Sequence, residues 1–167
     1  MTGLAPPVAG LVLIGIAATI AVAPANGSGL AAADAAAIRA SSHWQRLARP
    51  PLAELRPLGS AHPGAKRIYT SVARAKLAPG GRQRYPYPRG TTIVKVATTA
   101  NVATLVAIMR KTAVTNPRDG GWDYVEYQRS SGAEPFSRVA FPESGCADCH
   151  RNAATRQRTD WVFYSLR

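Results

Sequence analysis

The stretches TTIVKVATT (residues 91–99) and TLVAIMRK (104–111) decide what kind of fold this chain can form. Both are short and rich in β-branched or large apolar side chains, and glycine and proline stand outside them, so each reads as a strand. Working outward, RIYTSV (67–72) and WDYVEYQ (122–128) have the same texture. The turn formers APGGRQ, YPYPRG and NPRDGG separate these runs. NPRDGG suits a hairpin connection because its glycines can adopt positive φ. These features predict an α+β domain: a small antiparallel sheet of about four or five strands flanked by helices.

The rest of the chain is organised around that sheet. From Gly29 to Leu47 the sequence is alanine-rich, with Asp34 early and Arg39 and Arg46 late, a charge order that suits a helix dipole, and Pro50-Pro51 ends it. Ahead of it, LAPPVAGLVLIGIAATIAVAPA (4–25) is uncharged and apolar, followed by NGSG, and reads as a secretory signal peptide cut after Ala25. An uncleaved membrane anchor is the alternative. The expected divisions are residues 1–25 as the signal, 26–65 as the helix and an irregular connection, and 66–167 as the sheet domain.

Lys and Arg outnumber Asp and Glu by 21 to 9, a formal net charge of +12 that favours anionic partners. The cations are scattered and form no finger, ribbon or compact tract, so nucleic-acid binding is not expected. Aromatic residues are only 7% of the chain, and much of its apolar content is alanine. The core must therefore lean on a few large residues, Ile93, Val94, Leu105, Ile108, Met109, Trp122, Tyr124 and Trp161 among them.

Near the C-terminus, CADCH (146–150) holds the only two cysteines of the chain. Cys146, Cys149 and His150 form C-x-x-C-H, the pattern for covalent attachment of a c-type haem, in which two thiols bond the porphyrin and the adjacent imidazole reaches the iron. That reading agrees with an exported chain. Two other readings remain: a disulfide or redox pair, and a zinc site completed by His43 or His62. Among the residues after His150 there is neither Met nor His, so a sixth iron ligand would have to be Met109, His43 or His62. Met109 reads as core and the two histidines as surface, which leaves an open distal face suited to binding or transforming a small molecule.

With these residues in view, the chain resembles the cytochrome P-460 family and its cytochrome c′-beta relatives. The matching stretches are RIYTSV, RGTTIVKV, VAIMRK, GGWDYVEYQ and CADCHRNAATRQRTDWVFYSLR, over roughly residues 66–167. The resemblance implies a haem c docked against one sheet face, with Cys146 and Cys149 as thioether links and His150 as the iron ligand. It also implies that Lys95 stands where hydroxylamine-oxidising members bond a lysine nitrogen to the porphyrin rim. On the strand alone, an outward, solvated Lys95 needs no explanation, whereas an inward one beside Ile93 would need a partner. A distal carboxylate is expected to handle protons, with Glu143 the first candidate and Glu126 the second. Tyr124, Phe141 and Phe163 are expected to shape the distal pocket.

The activity implied is binding and oxidation of hydroxylamine or a related nitrogen compound, in a periplasmic homodimer served by a redox partner protein. Val96 follows Lys95 where the family usually has an acidic residue, and this departure keeps two alternatives open. One is a c′-beta-like protein that captures nitric oxide or carbon monoxide without turnover. The other is an electron carrier.

Overall fold

The computed structural model describes residues 29–51, 62–140 and 143–166, with Glu143 described by its backbone alone. The expected signal segment, most of the irregular connection and Phe141 lie outside the described residues. Six strands form one antiparallel sheet in sequence order: β1 (Gln45–Arg46), β2 (Ala65–Thr70), β3 (Thr92–Thr99), β4 (Val102–Lys111), β5 (Trp122–Gln128) and β6 (Ser137–Arg138). Helix α1 spans Ala32–Ser41 and helix α2 spans Glu143–Asn152, continued by a π-helical turn at Ala153–Gln157. The α+β expectation is correct. The strand count exceeds the expected four or five because β1 and β6, two residues each, are too short to read in the sequence.

Between β3 and β4 the chain turns through Ala100 and Asn101, both at positive φ (47° and 64°). A two-residue turn of this hand matches the twist of the strands it joins. Beyond it the register runs Lys95↔Ala107, Ile93↔Met109 and Val94↔Ile108 from β3 to β4, then Ala107↔Glu126, Met109↔Tyr124 and Lys111↔Trp122 from β4 to β5.

Alternation splits the side chains between two buried faces. On one, Val94, Val106 and Ile108 pack with Ile38 and Trp44 from the α1 region. Asp34 pins α1 there, accepting hydrogen bonds from Arg110 of β4 and from the Tyr127 hydroxyl of β5. On the other face Ile68, Ile93, Met109, Trp122 and Tyr124 pack with Ala147 of α2 and with Trp161 and Val162 of the tail. Thus α2 and the tail cover the face that carries Ile93, Lys95, Ala107 and Glu126.

The β4–β5 connection meets that tail closely. Gly120 and Gly121 have φ of 71° and 74°, and a Cβ on Gly120 would stand 2.3 Å from the Trp161 ring. Gly90 is also at positive φ (85°) but has nothing within 4 Å. Gly90→Ala should therefore cost only the conformational strain, about 1 kcal/mol. Gly120→Ala adds the clash and should cost clearly more, on the order of 2–4 kcal/mol in chemical denaturation. Equal losses for the two variants would mean that Trp161 does not sit on Gly120.

Candidate functional site

A cavity of about 630 Å³ lies between the sheet and α2, lined by residues including Ile93, Lys95, Met109, Cys146, Cys149 and His150. The two cysteines lie three apart within α2 and so share one helix face, and no disulfide joins them. The whole motif is helical. Its helix packs chiefly on β5, which sets both sulfurs and the imidazole toward one space.

On this wall His150 is fixed by a hydrogen bond from Nδ1 to the Trp161 carbonyl at 2.6 Å. A carbonyl only accepts, so Nδ1 carries the proton and Nε2 keeps a lone pair. Burial pushes the imidazole pKa down to about 4, with Lys95 and His62 adding positive charge and the Trp161 carbonyl opposing, so the ring is neutral at neutral pH. Tyr124 and Phe163 clasp it, with ring centroids 5.3 and 5.0 Å away. These two aromatics, expected on the distal side, thus pack against the candidate ligand itself.

Asp160, the residue before Trp161, is held by a buried ion pair. Lys111, whose side chain is fully buried, donates from Nζ to both Asp160 carboxylate oxygens at 2.8 and 2.9 Å and to the Gly120 carbonyl at 2.6 Å. Asp160 also accepts from the Tyr87 backbone N–H at 2.7 Å, and its own carbonyl accepts from Trp122 Nε1 at 3.0 Å. Asp160 and Trp161 both sit at positive φ, 50° and 69°. The motifs GGW and TDWVF therefore meet at one buried ion pair.

A second polar group lines the cavity from β3, β5 and the segment before β2. His62 bridges Lys95 and Glu126: Nδ1 faces the lysine Nζ, and Nε2 lies 2.8 Å from the Glu126 carboxylate. Between the two strands stands Ala107, a small residue that gives the longer chains room. Burial lowers the Lys95 pKa from 10.5 to about 8; Glu126 opposes the shift and Lys66 reinforces it. Burial acts to raise Glu126, but hydrogen bonds from His62 and Gln128 and the charge on Lys95 outweigh it, so its carboxyl is held below the ordinary range.

The structure thus puts Lys95, Cys146, Cys149 and His150 around one cavity. For Glu143 it describes only the backbone, at the start of α2, whereas Glu126 lines the cavity beside Lys95. Met109 is core, as expected, and His43 is exposed. His62 departs from its expected place at the surface. Its Pro-rich surroundings gave no hint of this; the signal lies in the register, which lines Ile68, Lys95, Ala107 and Glu126 across four strands.

The wall chemistry fits a haem. Two thiols stand one helical turn apart, a neutral imidazole offers a bare nitrogen, apolar residues such as Ile93 and Met109 line the space, and Lys66 and Arg138 are cations available for propionates. Among the described residues no cluster of three or more His, Cys, Asp or Glu side chains is arranged to hold a metal ion by itself.

The family model for Cytochrome P460 matches residues 45–164. No curated protein matches the chain.

Two outcomes follow from the cavity walls. Labelling of Lys95 by an amine-acylating reagent should titrate with a midpoint near pH 8, well below the surface lysines. Because the Glu126 charge raises that midpoint, Glu126→Gln should lower it further, and a midpoint that rises or stays put would contradict the arrangement. Ala107→Leu fills the gap between Lys95 and Glu126 and should reduce haem incorporation several-fold, read as haem absorbance per protein, while the apo chain stays folded.

Proposed function

The chain belongs to the cytochrome P460 family and is a haem cytochrome, and on that premise we propose that it is an exported, periplasmic protein that oxidises hydroxylamine at one covalently held haem c. Cys146 and Cys149 supply the thioether links and His150 Nε2 the proximal ligand. The observation that carries the catalytic reading is the Lys95–His62–Glu126 group, which lines the same cavity as His150. When bound, the haem supplies a redox-active iron that takes up hydroxylamine and accepts its electrons.

Each residue has a part in this account. A pKa near 8 raises the uncharged fraction of Lys95 at neutral pH by roughly two orders of magnitude over a solvated lysine, which supplies the free lone pair that a bond from its nitrogen to the porphyrin rim would need. Oxidising hydroxylamine releases protons as well as electrons. His62 receives protons through Nδ1 and passes them from Nε2 to Glu126, both side chains being partly open to solvent. Apolar walls at Ile93 and Met109 limit water. Electrons leave to a separate redox protein, and the +12 charge suits an acidic one. We extend the family's homodimer to this chain as part of the same proposal.

Val96, where an acidic residue is usual, favours a second reading: capture of nitric oxide or carbon monoxide without turnover. The two separate experimentally. The matured protein should reduce an added electron acceptor when given hydroxylamine, and its dithionite-reduced Soret band should lie well to the red of an ordinary c-type haem. Lys95→Arg should return that band to the ordinary position and cut turnover at least tenfold while carbon monoxide still binds. Gas binding with no hydroxylamine-dependent reduction in the unmodified protein would leave the second reading standing.

A further inference from the structure

We infer that Lys111 and Asp160, neither of which lines the cavity, are positioning residues that set how strongly His150 binds the haem iron. The inference rests on the reading of His150 as proximal ligand. A buried ion pair is a poor source of net stability, because withdrawing two charges from water offsets most of their attraction, and apolar side chains would fill the same space at no such cost. This pair therefore calls for another reason, and its bonds supply one. They converge on Asp160, the residue before the one whose carbonyl is bonded to His150, and on Gly120, against which the Trp161 ring packs.

The backbone there is in a conformation that L residues avoid. Asp160 and especially Trp161, with its bulky side chain, sit in the left-handed region at φ of 50° and 69°. Such backbone persists only where surrounding contacts over-determine it. Lys111 grips the Asp160 carboxylate, Trp122 Nε1 grips its carbonyl, and Gly120 leaves room for the Trp161 indole, over which Arg151 lies at 5.5 Å. The result is the Trp161 oxygen 2.6 Å from His150 Nδ1. A short hydrogen bond from Nδ1 pushes electron density into the ring and makes Nε2 a stronger donor, as carboxylate or carbonyl partners do for other metal-bound histidines. Loosening Asp160 would let the carbonyl drift and weaken that donation without touching the cavity.

The test uses the haem-loaded protein in its ferrous state. Resonance Raman gives the iron–imidazole stretching band and redox titration the midpoint potential, for the unmodified chain, Asp160→Asn, Lys111→Met and Val106→Ala. Val106 is buried on the opposite sheet face against the α1 side, so its truncation lowers stability without reaching the tail. Asp160→Asn keeps the size of the side chain and an acceptor for the Tyr87 N–H, and it decides the matter if Lys111→Met fails to mature. Asp160→Asn and Lys111→Met should both shift the band to lower frequency and the potential upward, with Val106→Ala leaving both unmoved. Unchanged readouts in Asp160→Asn, or equal shifts in Val106→Ala, would overturn the inference. If the unmodified chain carries no haem, the ligand reading fails separately, and the ring ¹⁵N shifts of His150 then decide. A fixed Nδ1–H tautomer that becomes mixed in Asp160→Asn supports the positioning role, and the same mixture in both chains refutes it.

Discussion

The buried ion pair between Lys111 and Asp160 is the constraint on which the proximal wall of the cavity depends. It ties the end of β4 to the tail that follows α2, and through the Gly120 carbonyl, the Tyr87 N–H and the Trp122 indole it draws two further segments to the same point. Leaving either charge alone in the core would cost on the order of 3–5 kcal/mol, so the two segments cannot separate independently. The consequence reaches the chemistry by one more bond, from the Trp161 carbonyl to His150.

The sheet side of the cavity has a different logic. There the sheet register, rather than a tertiary clamp, aligns Lys95, Ala107 and Glu126 on neighbouring strands, and His62 closes the gap from outside the sheet. One wall fixes a neutral imidazole by hydrogen bond and packing. The other lowers the pKa of a lysine to about 8 and keeps a carboxylate charged. Under the proposed function, the first wall would hold the iron ligand still and the second would move protons.

Much of this was legible in the amino-acid sequence, for reasons specific to each element. WDYVEYQ coincides with β5 because glycines mark one end and its alternation is strong. C-x-x-C-H is readable because its chemistry is local. The Ala100–Asn101 turn was not, since alanine is an unusual residue at positive φ and no glycine marks the place. The facing of Lys95 was equally hidden: Ile93 and Val94 are both buried, so hydrophobic alternation could not tell the α1 side from the cavity side. Nothing local in the sequence singles out Asp160, because its partner lies 49 residues away on β4. His62 and Glu126 became visible as partners only once strand register was known.

The central claim is that one haem lies between α2 and β3 and is bonded to both. Peptide mass spectrometry of the protein matured with a c-type haem assembly system tests it most directly. The account predicts a single haem-bearing product that joins the fragment containing Cys146 and Cys149 to the β3 fragment containing Lys95. Haem on the cysteine fragment alone would contradict the bond to Lys95 and the oxidation chemistry built on it, and haem on neither fragment would contradict the account as a whole.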